Sequence, residues 1–340
     1  MYRQSAVASA GSQNYLSIDF PHSLRSRMKC YSSLAILCLS LSIVSGTSFA
    51  GNVTDSDSGI QGPPYSKILS EMNRWQSEHA DISTVEQYGK SVKGRPLKML
   101  VVGKKRFSQF KNRPAIVMSG STHGNEYLNI EDRIPEALLK SAGKAGSVKT
   151  YLDEGGMFVF IPILNPDGYE SRSRENAHGV DLNRDWDVNA ANFKGFREVE
   201  TRSLASKLNE LKSRLALRYQ VTVDYHCCAG AILYPWSYTA EPISNEQLVK
   251  YKRLGKMADS HLDIEYGTTG DILGYYATGT TKDYYHESQG ALSFTYEGRY
   301  NKEHKLFDKH LEWWHDIVDF VGQGELIKNF LLFSSTSIFN

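Results

Sequence analysis

Apolar positions along the chain follow two periods, and their alternation outlines the fold. In residues 65–79 they recur at Ile68, Leu69, Met72 and Trp75, the spacing of one helix face. The stretch VEQYGKSVKGRPLKMLVVG that follows predicts two strands around the turn Lys93-Gly94-Arg95. Residues 115–121 predict a strand, and residues 126–142 a helix kinked at Pro135. Residues 157–164, MFVFIPIL, are apolar almost throughout, as in a strand buried on both faces. A loop over 165–192 is rich in Asn, Asp, Arg and Gly. Beyond it the pattern predicts a helix over 197–214, strands over 219–226 and 232–236, and a helix over 245–262. A strand over 292–297 and a closing helix over 305–321 complete the series. Strands alternating with helices indicate an α/β sandwich with a mixed, mostly parallel sheet.

The two ends of the chain break this pattern. Residues 34–44, LAILCLSLSIV, form an eleven-residue apolar run followed by small residues ending Ser48-Phe49-Ala50. That is the layout of a secretory signal, with Arg25, Arg27 and Lys29 ahead of the run. The run is short for a permanent span of about 20 residues. The expectation is a signal region over 1–50, translation starting at Met28 and cleavage after Ala50, with an N-terminal membrane anchor as the alternative. Export would deliver the protein to the periplasm or the extracellular space, with no stable membrane span after cleavage. Residues 51–64 are polar with Gly and Pro and read as a linker. The domain that follows is expected to span 65–325, with no second-domain boundary after the linker. The apolar tail, 326–340, contains NFLLFSSTSIF; the pattern leaves open an edge strand, a surface strip or no fixed structure.

Composition narrows the function classes. The 340 residues are 41% hydrophobic and 23% charged with a net charge of +1, ordinary for one large domain. That balance, without long Lys/Arg runs, excludes the basic surface of a nucleic-acid-binding protein. Cys30 and Cys38 would leave with the signal, so only Cys227 and Cys228 remain and no disulfide framework is implied.

The candidate chemistry gathers at strand ends, where parallel α/β sheets place their ligands. His123 lies just past the strand over 115–121, with Glu126 three residues on. His226 ends the strand over 219–226, and Glu297 ends the strand over 292–297. Two imidazoles and a carboxylate are the ligand types of a hydrolytic zinc site, and a second carboxylate could serve as its base.

Several further strings stand around these residues in a fixed order. They are YGKSVKGRPL, THGNE, NPDGY at 165–169, GVDLNRDWD at 179–187, DYHCCAGAILYPW, GYYATGTTKD and SFTYEG. Together, over residues 65–320, they resemble the zinc carboxypeptidases of the carboxypeptidase A type. The resemblance implies a single-domain, three-layer α/β/α sandwich with about eight strands, acting as a monomer. It implies that His123, Glu126 and His226 bind one Zn2+ and that Glu297 is the general base and acid. Asp181 would accept a hydrogen bond from His123. Asn183 and Arg184 would grip the substrate's terminal carboxylate. Arg174, with Arg172 as its alternative, would face the scissile carbonyl. Tyr275 would close over the substrate, although the adjacent Tyr276 leaves the register open by one.

Departures from the family pattern bear on substrate. Asn125 stands where digestive members have arginine. Lys282, just before Asp283, matches the position lining the pocket for the C-terminal side chain and would favour an acidic group there, unless it points to solvent. The short linker leaves no room for an inhibitory propeptide, so a constitutively active catalytic domain is expected. Cys227-Cys228 falls where the family has a non-proline cis peptide; two buried thiols are expected, with a vicinal disulfide as the alternative. The function implied is an exported carboxypeptidase acting on peptides or muropeptides. Alternatives are a peptidoglycan stem-peptide carboxypeptidase or amidase releasing diaminopimelate, an N-acyl amino acid deacylase, and a catalytically silent binding protein on the same fold.

Overall fold

The computed structural model describes residues 62–105, 111–299 and 302–336, with side chains through residue 324. The expected signal region, its start at Met28, the cleavage after Ala50 and most of the linker lie outside these residues. All of the described residues belong to one compact unit, Thr54–Asn340.

Helix α1 (Tyr65–Glu78) opens the fold, burying Ile68, Met72 and Trp75 as the period requires. Strands β1 (Ser83–Lys90) and β2 (Pro96–Val102) form the expected hairpin. Next come β3 (Arg113–Gly120), α2 (Arg133–Ala142), α3 (Ser147–Asp153), β4 (Met157–Ile161) and α4 (Pro166–Ser171). They are followed by α5 (Val199–Arg214), β5 (Leu217–Cys227), β6 (Ala231–Tyr234), α6 (Asn245–Leu262) and β7 (Glu265–Thr268). Short helices α7 (Thr269–Leu273) and α8 (Thr281–Tyr284), a π-turn (Tyr285–Gln289), β8 (Leu292–Gly298) and α9 (Phe307–Thr336) complete the chain.

The eight strands form one sheet in the order β1-β2-β4-β3-β5-β8-β6-β7. Its centre, β4-β3-β5-β8, is parallel throughout, as is β6 with β7, whereas β1–β2, β2–β4 and β6–β8 are antiparallel. The sheet is therefore mixed and mostly parallel, as the sequence pattern implies. Alternate side chains feed two apolar cores, one on each face. One core packs Leu100, Ile116, Phe158 and Tyr225 against α1, α2, α6 and α9, with Trp313 and Trp314 at its heart. The other packs Val101, Val117, Val159 and Trp186 against α5. Two helical layers thus cover the sheet.

Three local expectations change. The helix expected from residue 126 begins only at Arg133, because the backbone over 126–132 is tied down locally instead. The N–H groups of Leu128 and Ile130 donate to the Glu131 carboxylate (2.8 and 3.0 Å), and Asn129 takes a left-handed φ of 61°. With the start moved, Pro135 falls in the first turn of α2, where its missing N–H breaks no helical bond, and the expected kink loses its cause. For residues 326–340, left open between a strand, a strip and no fixed structure, the backbone instead continues α9 as helix to Thr336. Elements of four to seven residues (α3, α4, α7, α8, β7) escape prediction because they are shorter than a periodic window.

Candidate active site

The three candidate metal ligands and Glu297 are delivered at or just beyond the ends of central strands. After β3 the chain passes through Ser121, at φ 48°, and Thr122 to His123. Gly124 follows because nothing larger fits: a Cβ there would lie 2.0 Å from the Gly168 carbonyl carbon in α4. The Glu126 N–H then donates to the His123 carbonyl at 3.1 Å, a turn that brings the two side chains together. His226 lies near the end of β5 and Glu297 near the end of β8, and the parallel register sets the two directly opposite one another.

Three donor atoms converge. His123 Nδ1 lies 2.9 Å from Glu126 Oε2, His226 Nδ1 lies 3.1 Å from the same oxygen, and the two Nδ1 atoms are 3.0 Å apart. All three residues are buried. Metal–ligand bonds of about 2 Å in a tetrahedron would put donors roughly 3.3 Å apart, close to this spacing. The far ring nitrogens are already taken by carboxylates. His123 Nε2 meets Asp181 Oδ1 at 2.9 Å, and His226 Nε2 meets Asp224 Oδ2 at 2.8 Å. This arrangement orients a metal-binding imidazole and raises its basicity. The donor set and its backing therefore fit a zinc ion held by His123, Glu126 and His226.

Charge follows from these contacts. Burial alone would raise the Glu126 carboxyl, but the bonds and charges of His123 and His226 hold it well below the usual carboxylate range. Asp181 is lowered in the same way, burial being outweighed by His123, Arg174 and Arg184. Glu297 moves the other way: burial raises it and Glu126 adds to the rise, against His226, His123 and Lys282.

Of the remaining sequence candidates, Arg174 and Asp181 bond directly to the cradle. Arg174 donates from Nη1 to Glu126 Oε1 (3.1 Å) and from Nε and Nη2 to Asp181 Oδ2 (3.1 and 2.9 Å). Its alternative, Arg172, caps α4 with a left-handed φ of 54°. Asp181 also caps a short 3-10 turn, Leu182–Arg184, accepting from the Asn183 N–H at 2.8 Å. The Asn183 side-chain oxygen accepts from Thr281 N and Oγ1 (2.9 and 3.1 Å), leaving its amide NH2 as the group that could meet a carboxylate. Arg184 is half-buried and donates to the Asn183 carbonyl.

Tyr275 and Tyr276 are 48% and 55% exposed. Tyr276 packs against Gly270 and walls a pocket with Pro235, Ile243 and Leu248. Lys282 does not point to solvent. It is 2% exposed, and its Nζ donates to Ser237 Oγ and, at 2.8 Å, to Thr269 Oγ1. Burial pushes its ammonium down; Asp283 and Glu297 oppose that shift and Arg184 adds to it. Asn125 is exposed.

Two features differ from or add to the sequence reading. Cys227 and Cys228, expected as two buried thiols, are joined as a vicinal disulfide across a cis peptide. Cys227 is buried, but Cys228 is exposed. The Cys227 N–H donates to Glu126 Oε2 at 3.1 Å. The addition is Asp224, held by Ser119 Oγ (2.7 Å) and Thr122 Oγ1 (3.1 Å) as well as by His226. A signal for it existed: Asp224 precedes His226 by two positions in a strand, so both must face the same side.

A family model for zinc carboxypeptidases matches residues 68–313, and the chain belongs to that family. Among curated relatives it is similar to carboxypeptidase B of Helicoverpa zea, 26% identical over 260 residues, which are 65% of this chain and 58% of that protein. It is also similar to a protein named inactive metallocarboxypeptidase ECM14 from Ajellomyces capsulatus (strain NAm1 / WU24). That pair is 28% identical over 217 residues, or 54% of this chain and 35% of that protein. The chain thus spans about a third to three-fifths of the length of these relatives. Among solved structures, bovine thrombin-activatable fibrinolysis inhibitor in complex with tick carboxypeptidase inhibitor shares the fold. The TM-score is 0.64 at 17% identity, covering 78% of this chain and 99% of that one. No helix among the described residues is long and apolar enough to cross a membrane.

Proposed function

We propose that this chain is an exported zinc carboxypeptidase that hydrolyses the C-terminal peptide bond of its substrate, with a preference for acidic ends. The observation that carries the reading is the register of β5 and β8, which sets Glu297 beside a three-donor cradle whose histidines are each backed by a carboxylate. Zinc held there would supply Lewis-acid polarisation of the scissile carbonyl and acidify water. Glu297, its affinity for a proton raised by burial, takes the proton of the attacking water and passes it to the leaving amine. Arg174 donates toward the developing oxyanion, a contribution of roughly 3–4 kcal/mol for a well-placed donor. Arg184 and the Asn183 amide hold the terminal carboxylate, and Tyr275 closes over it.

Lys282 supports the acidic preference. A buried ammonium held by two hydroxyls is a partner for a second carboxylate in the pocket, whether of glutamate or of diaminopimelate in a muropeptide. The presence of Asn183, Arg184 and Tyr275 favours peptides over N-acyl amino acids. All three cradle residues and Glu297 are present, which favours an active enzyme over a silent binding protein. The signal-like run over 34–44 supports export. The test is to offer the zinc-loaded protein peptides ending in Glu, Phe or Lys, beside muropeptides ending in diaminopimelate. Fastest release of Glu or diaminopimelate is expected; preference for Lys ends would overturn the role of Lys282, and no release from any would overturn the enzyme.

A further inference from the structure

Each of the two facing residues His226 and Glu297 is preceded by a tyrosine, Tyr225 on β5 and Tyr296 on β8. Side chains alternate along a strand, so the tyrosines point to the opposite face of the sheet. The register pairs Tyr225 with Tyr296, as it pairs His226 with Glu297. Behind the sheet both rings enter one buried group. Tyr296 donates its hydroxyl to Glu303 Oε2 at 2.7 Å, and His310 Nε2 meets the same oxygen at 2.9 Å. His310 Nδ1 lies 3.4 Å from the Tyr225 hydroxyl, which in turn accepts from Trp314 Nε1 at 2.8 Å. The other Glu303 oxygen accepts from the Arg299 N–H (2.7 Å) and Nε (3.0 Å). Glu303, His310, Tyr225, Tyr296 and Trp314 all have 0–1% exposure.

Burying a carboxylate and an imidazole behind a sheet carries a desolvation cost that apolar residues of similar volume would avoid. The pair is placed where it can set geometry. It bridges the back of β5 to the back of β8, one residue from the metal ligand on one strand and one residue from the base on the other. The end of β8 also rests on it: a Cβ at Gly298 would lie 2.8 Å from Glu303 Cγ and 2.7 Å from Leu128 Cδ1. Leu128 is two residues from the ligand Glu126. The ends of β5 and β8 therefore both abut this group, and the loop that carries Glu126 packs beside it through Leu128.

We propose that Glu303 and His310 are positioning residues: through Tyr225 and Tyr296 they hold the ligand His226 and the base Glu297 at their working separation from the far side of the sheet. The proposal rests on the reading of those two residues as ligand and base. A displacement of the order of 1 Å at a reacting centre costs up to about 100-fold in rate, so loosening the tie should be visible in turnover.

The test uses Tyr296→Phe and Glu303→Gln in the full chain, with Trp313→Phe as control. Trp313 is buried in the same layer with its ring 5.9 Å from that of Tyr296, but its indole N–H has no partner among the described residues, so the control perturbs packing against the group without removing any of its hydrogen bonds. Two readouts are taken, steady-state kinetics and the visible spectrum of the Co2+-substituted protein, which reports the metal's surroundings without requiring turnover. Tyr296→Phe is expected to lower kcat about tenfold with KM within about twofold of the parent, and to change the cobalt spectrum. Trp313→Phe should leave both unchanged at a temperature where it is folded. If Tyr296→Phe and every folded Glu303 variant only lower the melting temperature, with kcat and cobalt spectrum unchanged, the group is merely structural and the proposal is overturned. If the parent hydrolyses no peptide, the carboxypeptidase reading fails on its own, and the cobalt spectra of Tyr296→Phe and parent still decide the positioning.

Discussion

The two faces of the β5–β8 pair carry similar chemistry to opposite ends. Behind the sheet, an imidazole and a carboxylate are satisfied by Tyr225, Tyr296, Arg299 and Trp314, with donors matched to acceptors in one chain of hydrogen bonds. In front of it, His123 and His226 spend their Nε2 atoms on Asp181 and Asp224 and turn both Nδ1 atoms toward Glu126 Oε2, 3.0 Å from each other. The rear group is complete as it stands. The front group brings two nitrogens and a carboxylate oxygen to one point, an arrangement stabilised by a cation. Buried histidine and glutamate therefore do not mark a metal site by themselves. What distinguishes the two sets is whether their hydrogen-bonding capacity is used up within the protein.

That contrast can be broken most severely at the front. Glu297→Gln keeps the shape and should lower kcat by roughly 10²–10⁴-fold while zinc content, measured by metal analysis, stays at one per chain. Undiminished hydrolysis would remove the role of Glu297 as base.

The next effect lies behind the sheet and reads in stability. Burial works against the ionised form of Glu303, but His310, Tyr296 and the Arg299 N–H hold its carboxyl down at about 2. A carboxyl lowered on folding contributes stability that is present above its unfolded value near 4.5 and is lost as pH falls toward 2, on the order of 3 kcal/mol. Glu131 gives the opposite sign. Burial pushes it up to about 8 despite the Leu128 and Ile130 N–H donors. Its contribution is therefore full below about 4.5 and is lost as pH rises through 8. In urea unfolding across pH, Glu303→Gln should flatten the acid limb and Glu131→Gln the alkaline limb. Unchanged limbs in both would refute these assignments.

Third, Asp224→Ala should weaken zinc binding about 10–100-fold in chelator competition by freeing the His226 ring, with Asp181→Ala doing the same for His123. If both variants hold zinc as tightly as the parent, the carboxylate backing is not what finishes the front face. The smallest effect is on selectivity. Lys282→Met should reduce the preference for Glu over Phe ends by about tenfold in kcat/KM, the worth of one charge-assisted hydrogen bond. Retention of the preference would mean that another group reads the substrate's end.

Much of this molecule is legible in one dimension. The helix over 245–262 matches α6 at both ends, and the strands leading to His123, His226 and Glu297 lie where their apolar runs predict. Such elements are set by local periodicity, which a chain displays whatever it packs against. The order of motifs from YGKSVKGRPL to SFTYEG carries the family as well, because spacing along the chain encodes which strand ends will meet.

Tertiary structure decided what depends on distant partners. Residues 126–132 do not join α2, because Glu126 is drawn to His123 in its own loop and to His226 on β5, and Glu131 takes the free N–H groups of its own turn. The resemblance puts Lys282 in the pocket for the C-terminal side chain or leaves it facing solvent, and only the closing of Ser237 and Thr269 around it decides that it is buried. Glu303 and His310 meet Tyr225 and Tyr296 only once β5, β8 and α9 are side by side. A sequence displays the period of each element, but a hydrogen bond between residues about 100 positions apart exists only after the sheet has brought them together.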